Sequence, residues 1–165
     1  MKWYAVQTKS RQENVAKQNL VNQGFSVFLP TLRVPVKRRG KWSLKIEPLF
    51  AGYLFLELDL GIQKTSSIRS TRGVIKLVQN GIHVLPVAGE LIADLKKAQA
   101  AVDNATEEKQ FFEAGEEVLL TGGALSGLKG IYKSKNSEER AILLLNILGD
   151  KTQVVVPQTY LAKVS

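Results

Sequence analysis

Residues 53–59, Tyr-Leu-Phe-Leu-Glu-Leu-Asp, alternate between two kinds of side chain, and a period of two is the mark of a strand. On that strand Leu54, Leu56 and Leu58 share one face, while Tyr53, Phe55, Glu57 and Asp59 share the other. The leucine face is a natural core face. The second face is unusual, because a solvated face carries Thr, Lys or Ser rather than two aromatics. Tyr53 and Phe55, with Phe50 just upstream, therefore form a patch that requires a cover. A helix of the same domain could supply it, and so could something beyond that domain.

The surrounding sequence supplies partners for this strand. Residues 2–8 read as a short apolar strand. Ser10 is expected to cap a helix with Glu13 at capping-box spacing, with Val15, Ala16, Leu20 and Val21 as its apolar stripe and Gly24 as its stop. Lys17 lies off that stripe, near Lys9, Arg11, Gln12 and Asn14, which gives the helix a polar, basic outer face. Residues 25–30 form a second strand. Residues 32–46 form a two-stranded ribbon around Arg38-Arg39-Gly40-Lys41, with Trp42 beside the tip. Three positive charges at a hairpin tip suit a nearby phosphate backbone. Residues 62–68 read as a short helix or loop, 69–73 as a basic turn, and 74–78 as a strand. Asn80-Gly81 marks a turn, and a helix follows over 88–102 with Leu91, Ile92 and Leu95 on its apolar side. The order β-α-β, hairpin, β, short α, β, α predicts an α+β fold: a ferredoxin-like antiparallel α/β sandwich over residues 1–101.

Residues 103–110 lack apolar periodicity and read as an exposed linker, so the expected division is 1–101, a linker at 102–112, and a small domain at 113–165. In that domain Gly122, Gly123 and Gly127 form a turn between strands at 117–121 and 128–132, and residues 140–148 and 152–156 complete a small barrel. The segment 137–149 contradicts itself. Ser137 is a good N-cap, Glu138 and Glu139 fall in a first turn, and Gly149 sits where a helix ends. Yet the run is apolar on every side, which a lone surface helix cannot be. As a strand such a run fits a barrel that buries both its faces, although small barrels rarely bury both faces of a strand, so local propensity and tertiary pattern disagree here. Upstream, each of Gly122, Gly123, Gly127 and Gly130 would cost about 1 kcal/mol in a helix, so a helical form there needs another surface to pack on.

Charge divides the chain in the same place. Residues 1–101 hold 16 Lys and Arg against 6 Asp and Glu, a net of +10, while residues 102–165 hold 7 against 9. The first part is therefore expected to face a polyanion, nucleic acid above all. There is no cysteine, which excludes disulfides, thiolate nucleophiles and zinc–thiolate sites. No apolar run approaches the roughly 20 residues that span a bilayer, and the N-terminus lacks the apolar core of a signal peptide. A cytoplasmic monomer without a membrane partner is expected. Enzymatic sites do not assemble: Glu57 and Asp59 read as solvated strand-end carboxylates, and His83 has no ligand partners nearby. Residues 122–127 have phosphate-loop glycine spacing, but Leu128-Lys129 follows in place of Lys-Ser or Lys-Thr. No cofactor or metal is expected.

Trp3-Tyr4, Glu47-Pro48-Leu49-Phe50 with Tyr53-Leu54-Phe55, Thr71-Arg72-Gly73-Val74, the KOW-type turn at 123–127 and Leu143-Leu144-Leu145-Asn146 together resemble the NusG family of transcription elongation factors. The second and last of these runs look like its specialised, operon-specific branch. The resemblance implies no enzyme but a factor that binds RNA polymerase. Its apolar patch, here Phe50, Tyr53, Phe55, Ile92 and Leu95, would rest on the clamp helices of the largest subunit. The family's His-Thr-Thr contact to the second-largest subunit corresponds to Lys64, Thr65 and Ser66. Contacts to the exposed non-template single-stranded DNA fall on Lys9, Asn19, Gln23, Ser67, Arg69, Thr71 and Arg72, with arginine and lysine on phosphates and Thr and Ser on base edges. Two further positions expected to be basic are Val15 and Asn22. The resemblance also implies a C-terminal KOW-type domain that packs as an α-hairpin over the patch, locked by Glu47 and Arg140. After release it would refold to a β-barrel that contacts ribosomal protein uS10. A general elongation factor with a permanent barrel, or a ribosome-associated KOW protein that binds RNA, is the alternative.

Overall fold

The structure is a computed structural model that describes residues 1–62, 65–103 and 136–148. The expected linker from residue 104, the glycine-rich turn, the other barrel strands and Lys64 lie outside the described residues. A five-stranded antiparallel sheet forms the centre. Its members are β1 (Lys2–Thr8), β2 (Ser26–Phe28), β5 (Tyr53–Leu58), β6 (Val74–Leu77) and β9 (Pro86–Val87), ordered β2-β5-β1-β6 with β9 also pairing β1. With the inserted hairpin set aside, this is the strand order of a split βαβ unit, as expected.

The pleat sorts the side chains into two cores. Register pairs Tyr4 with Leu56, Ala5 with Phe55 and Val6 with Leu54. Tyr4, Val6, Leu54, Leu56 and Leu58 accordingly face one way, onto Ala16 and Leu20 of α1 (Glu13–Asn22) and Ile68 of α2 (Ser66–Arg69). Ala5, Tyr53 and Phe55 face the other way, onto Leu91, Ile92, Leu95 and Ala98 of α3 (Gly89–Asp103) and onto Ala141, Leu144 and Leu145 of α4 (Ser137–Leu148). The aromatic face is thus covered twice, by a helix of the same domain and by α4. Phe50 meets Phe55 edge-on at 5.9 Å between ring centroids, and Phe28 stacks on Phe55 at 6.1 Å. The Lys96 ammonium lies 4.6 Å from the Trp3 ring centroid, closing one edge of this core with a cation–π contact.

The ribbon is β3 (Thr31–Arg38) and β4 (Lys41–Pro48), with Arg38 opposite Lys41. Arg39 and Gly40 have φ of 52° and 76°, and positive values at both central residues define the turn whose twist suits a hairpin. A smaller ribbon, β7 (Gln79–Asn80) with β8 (His83–Val84), turns at Gly81.

Several local expectations are corrected. The Ser10–Glu13 capping box does not form; α1 starts after Gln12 without a side-chain cap, and the Glu13 carboxylate instead accepts the Gly52 N–H at 3.1 Å. Its buried residues are Glu13, Ala16 and Leu20, so Val15 and Val21 are exposed at 37% and 45%. The stripe is narrower because Glu13 takes up the first inward position. Residues 137–148 form a helix, as the resemblance implies for the docked segment, because the aromatic patch offers the outside surface that such an apolar helix needs. Its cap is Asn136 rather than Ser137: the Asn136 Oδ1 accepts the Glu139 N–H at 2.9 Å, and the Arg140 N–H closes the first turn on the Asn136 carbonyl at 3.1 Å. The helix α3 runs to Asp103, so the first residues of the expected linker are helical. Among the described residues no helix is long and apolar enough to cross a membrane, and no cluster of His, Asp and Glu is placed to hold a metal ion.

Candidate functional site

Two surfaces on opposite faces of the sheet collect nearly all of the candidate residues. On the first, Phe50, Phe55, Ile92 and Leu95 are 0–2% exposed and Tyr53 is 7% exposed. Burial pushes the Tyr53 hydroxyl above its usual pKa of 10.0, because the phenolate would lose its water. Part of the cover is α3; the remainder is α4, whose inward side carries Ala141, Leu144 and Leu145.

The seam between α4 and the sheet is polar and specific. Arg140 is fully buried, its Nη2 2.7 Å from Glu47 Oε1, and its Nε donates to the Leu49 carbonyl at 2.7 Å. The Ala51 N–H donates to the Ser137 carbonyl at 3.1 Å. Glu47 stands at the end of β4, with its side chain 23% exposed. Beside it opens a cleft of about 770 Å³, lined among others by Arg11, Glu13, Lys45 and Glu138. Water thus reaches the carboxylate but not the guanidinium. The expected pair is present, and the Leu49 carbonyl is a further partner that no sequence pattern signalled. Asn136, by contrast, could have been found from its spacing to Glu139, which is that of a capping box.

The second surface is built by α1, α2 and the turn after α2. Gly73 makes it possible: its φ is +90°, and a Cβ there would lie 2.8 Å from the Ala16 backbone nitrogen. Only glycine lets the turn press against α1 this closely. The Lys9 N–H donates to the Gly73 carbonyl at 2.8 Å, which ties the end of β1 to the same turn. Lys9, Gln23, Ser67, Arg69 and Arg72 are exposed and Asn19 is half-buried, so the structure brings these expected residues onto one side of the molecule. Thr65 and Ser66 open α2 next to them and are also exposed. Thr71 differs: it is 7% exposed, and its hydroxyl donates to the Ser67 carbonyl at 2.6 Å while accepting from Gln23 Nε2 at 2.7 Å. The Thr71 hydroxyl, expected to meet a base edge, is thus committed internally in the absence of nucleic acid.

The ribbon forms a third surface, a basic one. Residues 31–46 contain Arg33, Lys37, Arg38, Arg39, Lys41 and Lys45 and no acid. Trp42 and Ile46 are 62% and 63% exposed there, with the Lys37 ammonium 5.9 Å from the Trp42 ring centroid.

A family model described as "Transcription termination factor nusG" matches residues 1–96. The chain is 26% identical over 172 residues to the transcription termination/antitermination protein NusG of Thermus thermophilus, covering 93% of this chain and 94% of that one. It is 27% identical to the protein of the same name from Borreliella burgdorferi, with 98% of each chain covered. With that of Campylobacter jejuni it shares 28% identity, over 99% of this chain and 97% of the other. A solved structure titled "Domain interaction in Thermotoga maritima NusG" matches at a TM-score of 0.45 and 24% identity, over 64% of this chain and 60% of that chain.

Proposed function

The chain belongs to the NusG family of transcription termination and antitermination factors, and from that premise we propose that it is an operon-specific elongation and antitermination factor of the RfaH type. In this reading Phe50, Tyr53, Phe55, Ile92 and Leu95 dock on the clamp helices of the largest RNA polymerase subunit. Lys64, Thr65 and Ser66 meet the second-largest subunit. Lys9, Asn19, Gln23, Ser67, Arg69 and Arg72 hold the exposed non-template strand, with Thr71 behind them. The factor suppresses pausing and termination. Once released, its C-terminal domain refolds from an α-hairpin to a β-barrel and couples transcription to translation through ribosomal protein uS10. It works as a cytoplasmic monomer without cofactor.

The observation that carries this reading is the burial of the aromatic face under α4, held by Arg140 and Glu47. A patch of that size is sealed in the free chain, while the α1/α2 surface on the opposite face of the sheet stays open. Nucleic acid can therefore be sampled before the apolar face is available, which is the order that an operon-specific factor requires. A ligand shifts such an equilibrium only by its differential affinity for the open state, and polymerase supplies that difference.

The test is polymerase binding measured with the full chain and with Glu47→Ser. Under this reading the wild-type chain joins only those elongation complexes whose exposed strand carries its target element, whereas Glu47→Ser joins any of them. Equal, element-independent binding by both proteins would leave the second reading, a general NusG-like factor with a permanent β-barrel. That reading is supported by relatives of that name aligning along 94–98% of their own length. Binding to ribosomes or RNA without polymerase would favour a ribosome-associated KOW protein.

A further inference from the structure

Gln23 is an exposed amide of the α1/α2 surface whose two ends are assigned by chemistry alone. Its terminal amide lies 2.7 Å from the Thr71 Oγ1 and 3.3 Å from the Asn19 carbonyl oxygen. A carbonyl oxygen can only accept. The Thr71 hydroxyl has already given its single proton to the Ser67 carbonyl, 2.6 Å away, so towards Gln23 it too can only accept. Both neighbours therefore demand the nitrogen, and both N–H groups of Nε2 are used. What remains for an incoming group is Oε1, an acceptor and nothing else.

We propose that Thr71 is a positioning residue that fixes the polarity of the Gln23 amide, so that Gln23 Oε1 selects unpaired bases carrying an exocyclic amine. This rests on the reading of the α1/α2 surface as the single-strand contact. Adenine, cytosine and guanine each offer such an amine, and an acceptor held in place hydrogen-bonds it. Thymine and uracil present only N3–H, flanked by two carbonyl oxygens whose lone pairs repel an incoming acceptor. A freely rotating glutamine would read both classes, because it could turn its nitrogen outward. The buried hydroxyl removes that choice. Its own position is rigid, since the Thr71 N–H donates to the Ile68 carbonyl at 3.1 Å and the Thr71 carbonyl accepts the Val74 N–H at 3.0 Å. Asn19 is held similarly, its Nδ2 donating to the Val15 carbonyl at 2.8 Å, but one of its N–H groups remains for use and it stays ambivalent.

The experiment compares single-stranded oligodeoxycytidine with oligodeoxyuridine of equal length, binding to the full chain at low salt by fluorescence anisotropy. These bases differ in an amine against a carbonyl at C4, and in an acceptor against an N–H at N3 between the same neighbours. The wild-type chain should prefer oligodeoxycytidine by about five-fold, the worth of one added hydrogen bond. Thr71→Ser should keep that preference and Thr71→Val should lose it, with unchanged circular dichroism. Adding Gln23→Glu to Thr71→Val should restore the preference at lower overall affinity, because a carboxylate has acceptors only and repels phosphate. A purely structural role for Thr71 would not give that rescue. Because Gln23 is exposed, Gln23→Glu and Gln23→Ala in the wild-type background provide the same contrast should Thr71→Val fail to fold: preference kept in the first, lost in the second. An unaltered preference in Thr71→Val, no rescue by Gln23→Glu, or no preference in the wild type overturns the inference while leaving the nucleic-acid surface intact. Failure of the wild-type chain to bind either oligomer overturns both.

Discussion

Arg140 of α4 reaches Glu47 of β4 across 93 residues of sequence, Nη2 to Oε1 at 2.7 Å, with the arginine fully buried and the glutamate still in reach of water. The two ends of this pair have unequal stakes. Without Arg140, Glu47 can be hydrated from the adjoining cleft. Without Glu47, Arg140 keeps its bond to the Leu49 carbonyl but loses, while fully buried, the carboxylate 2.7 Å from its Nη2.

Glu47→Ser should accordingly destabilise the docked α4 by about 3 kcal/mol, the lower end for breaking a buried ion pair, given the partial exposure of Glu47. Amide hydrogen exchange at Ala141, Leu144 and Leu145 should accelerate by about two orders of magnitude, while Leu54 and Leu56 in the sheet stay protected. Equal protection of α4 in both proteins would remove Glu47 as the lock.

The cap offers a finer test of the same helix. Asn136→Ala should cost α4 about 1 kcal/mol, because the Glu139 N–H loses its acceptor. Ser137→Ala should be close to neutral, since its hydroxyl meets only the exposed Glu138 carboxylate, at 3.4 Å. Denaturant titration followed by α4 exchange distinguishes the two, and the reverse ranking would return the cap to Ser137.

Alkaline pH should loosen the apolar patch. Burial raises the Tyr53 pKa above 10.0, so the native chain holds a proton that the unfolded chain gives up. The contribution of Tyr53 is fully present below pH 10 and is lost as pH rises through the higher native value. Ultraviolet titration should show a late-ionising tyrosine in the wild type that is missing from Tyr53→Phe. A difference between the two titrations centred at the ordinary tyrosine pKa would place Tyr53 in water.

Gly73→Ala should cost about 2–3 kcal/mol in urea denaturation, through a strained positive φ and contact with the Ala16 backbone. Gly81→Ala is the control: its φ is +62° but nothing lies within 4 Å of the new methyl, so about 1 kcal/mol is expected from the backbone term alone. Equal costs would show that the close approach to α1 contributes nothing.

Arg72→Ala should leave the fold intact, because the side chain is exposed. If Arg72 neutralises a phosphate, the slope of log affinity against log salt for single-stranded DNA should become shallower by about 0.7. An unchanged slope, measured by anisotropy across a salt series, would take Arg72 out of the contact.

The alternation in residues 53–59 was enough by itself to assign both faces of the sheet, and the residues of β1 follow the same rule. The pleat is local geometry, so no distant contact can revise it. The ribbon around Arg38-Arg39-Gly40-Lys41 was legible for the same reason. Glu13 was not, because its spacing satisfies a capping box and only the approach of Gly52 diverts its carboxylate. Thr71 likewise carries no sign in the sequence that its hydroxyl is enclosed by Ser67 of α2 and by Gln23, the residue that follows α1. Residues 137–148 are the extreme case. Their caps favour a helix and their all-round apolarity forbids one in water, so the sequence alone leaves helix and strand both open. The tertiary structure decides between them by presenting Phe50, Tyr53 and Phe55 as a surface to pack on and Glu47 as a partner for Arg140, since burial against another element, not local preference, determines the state of a segment that cannot be solvated on any side.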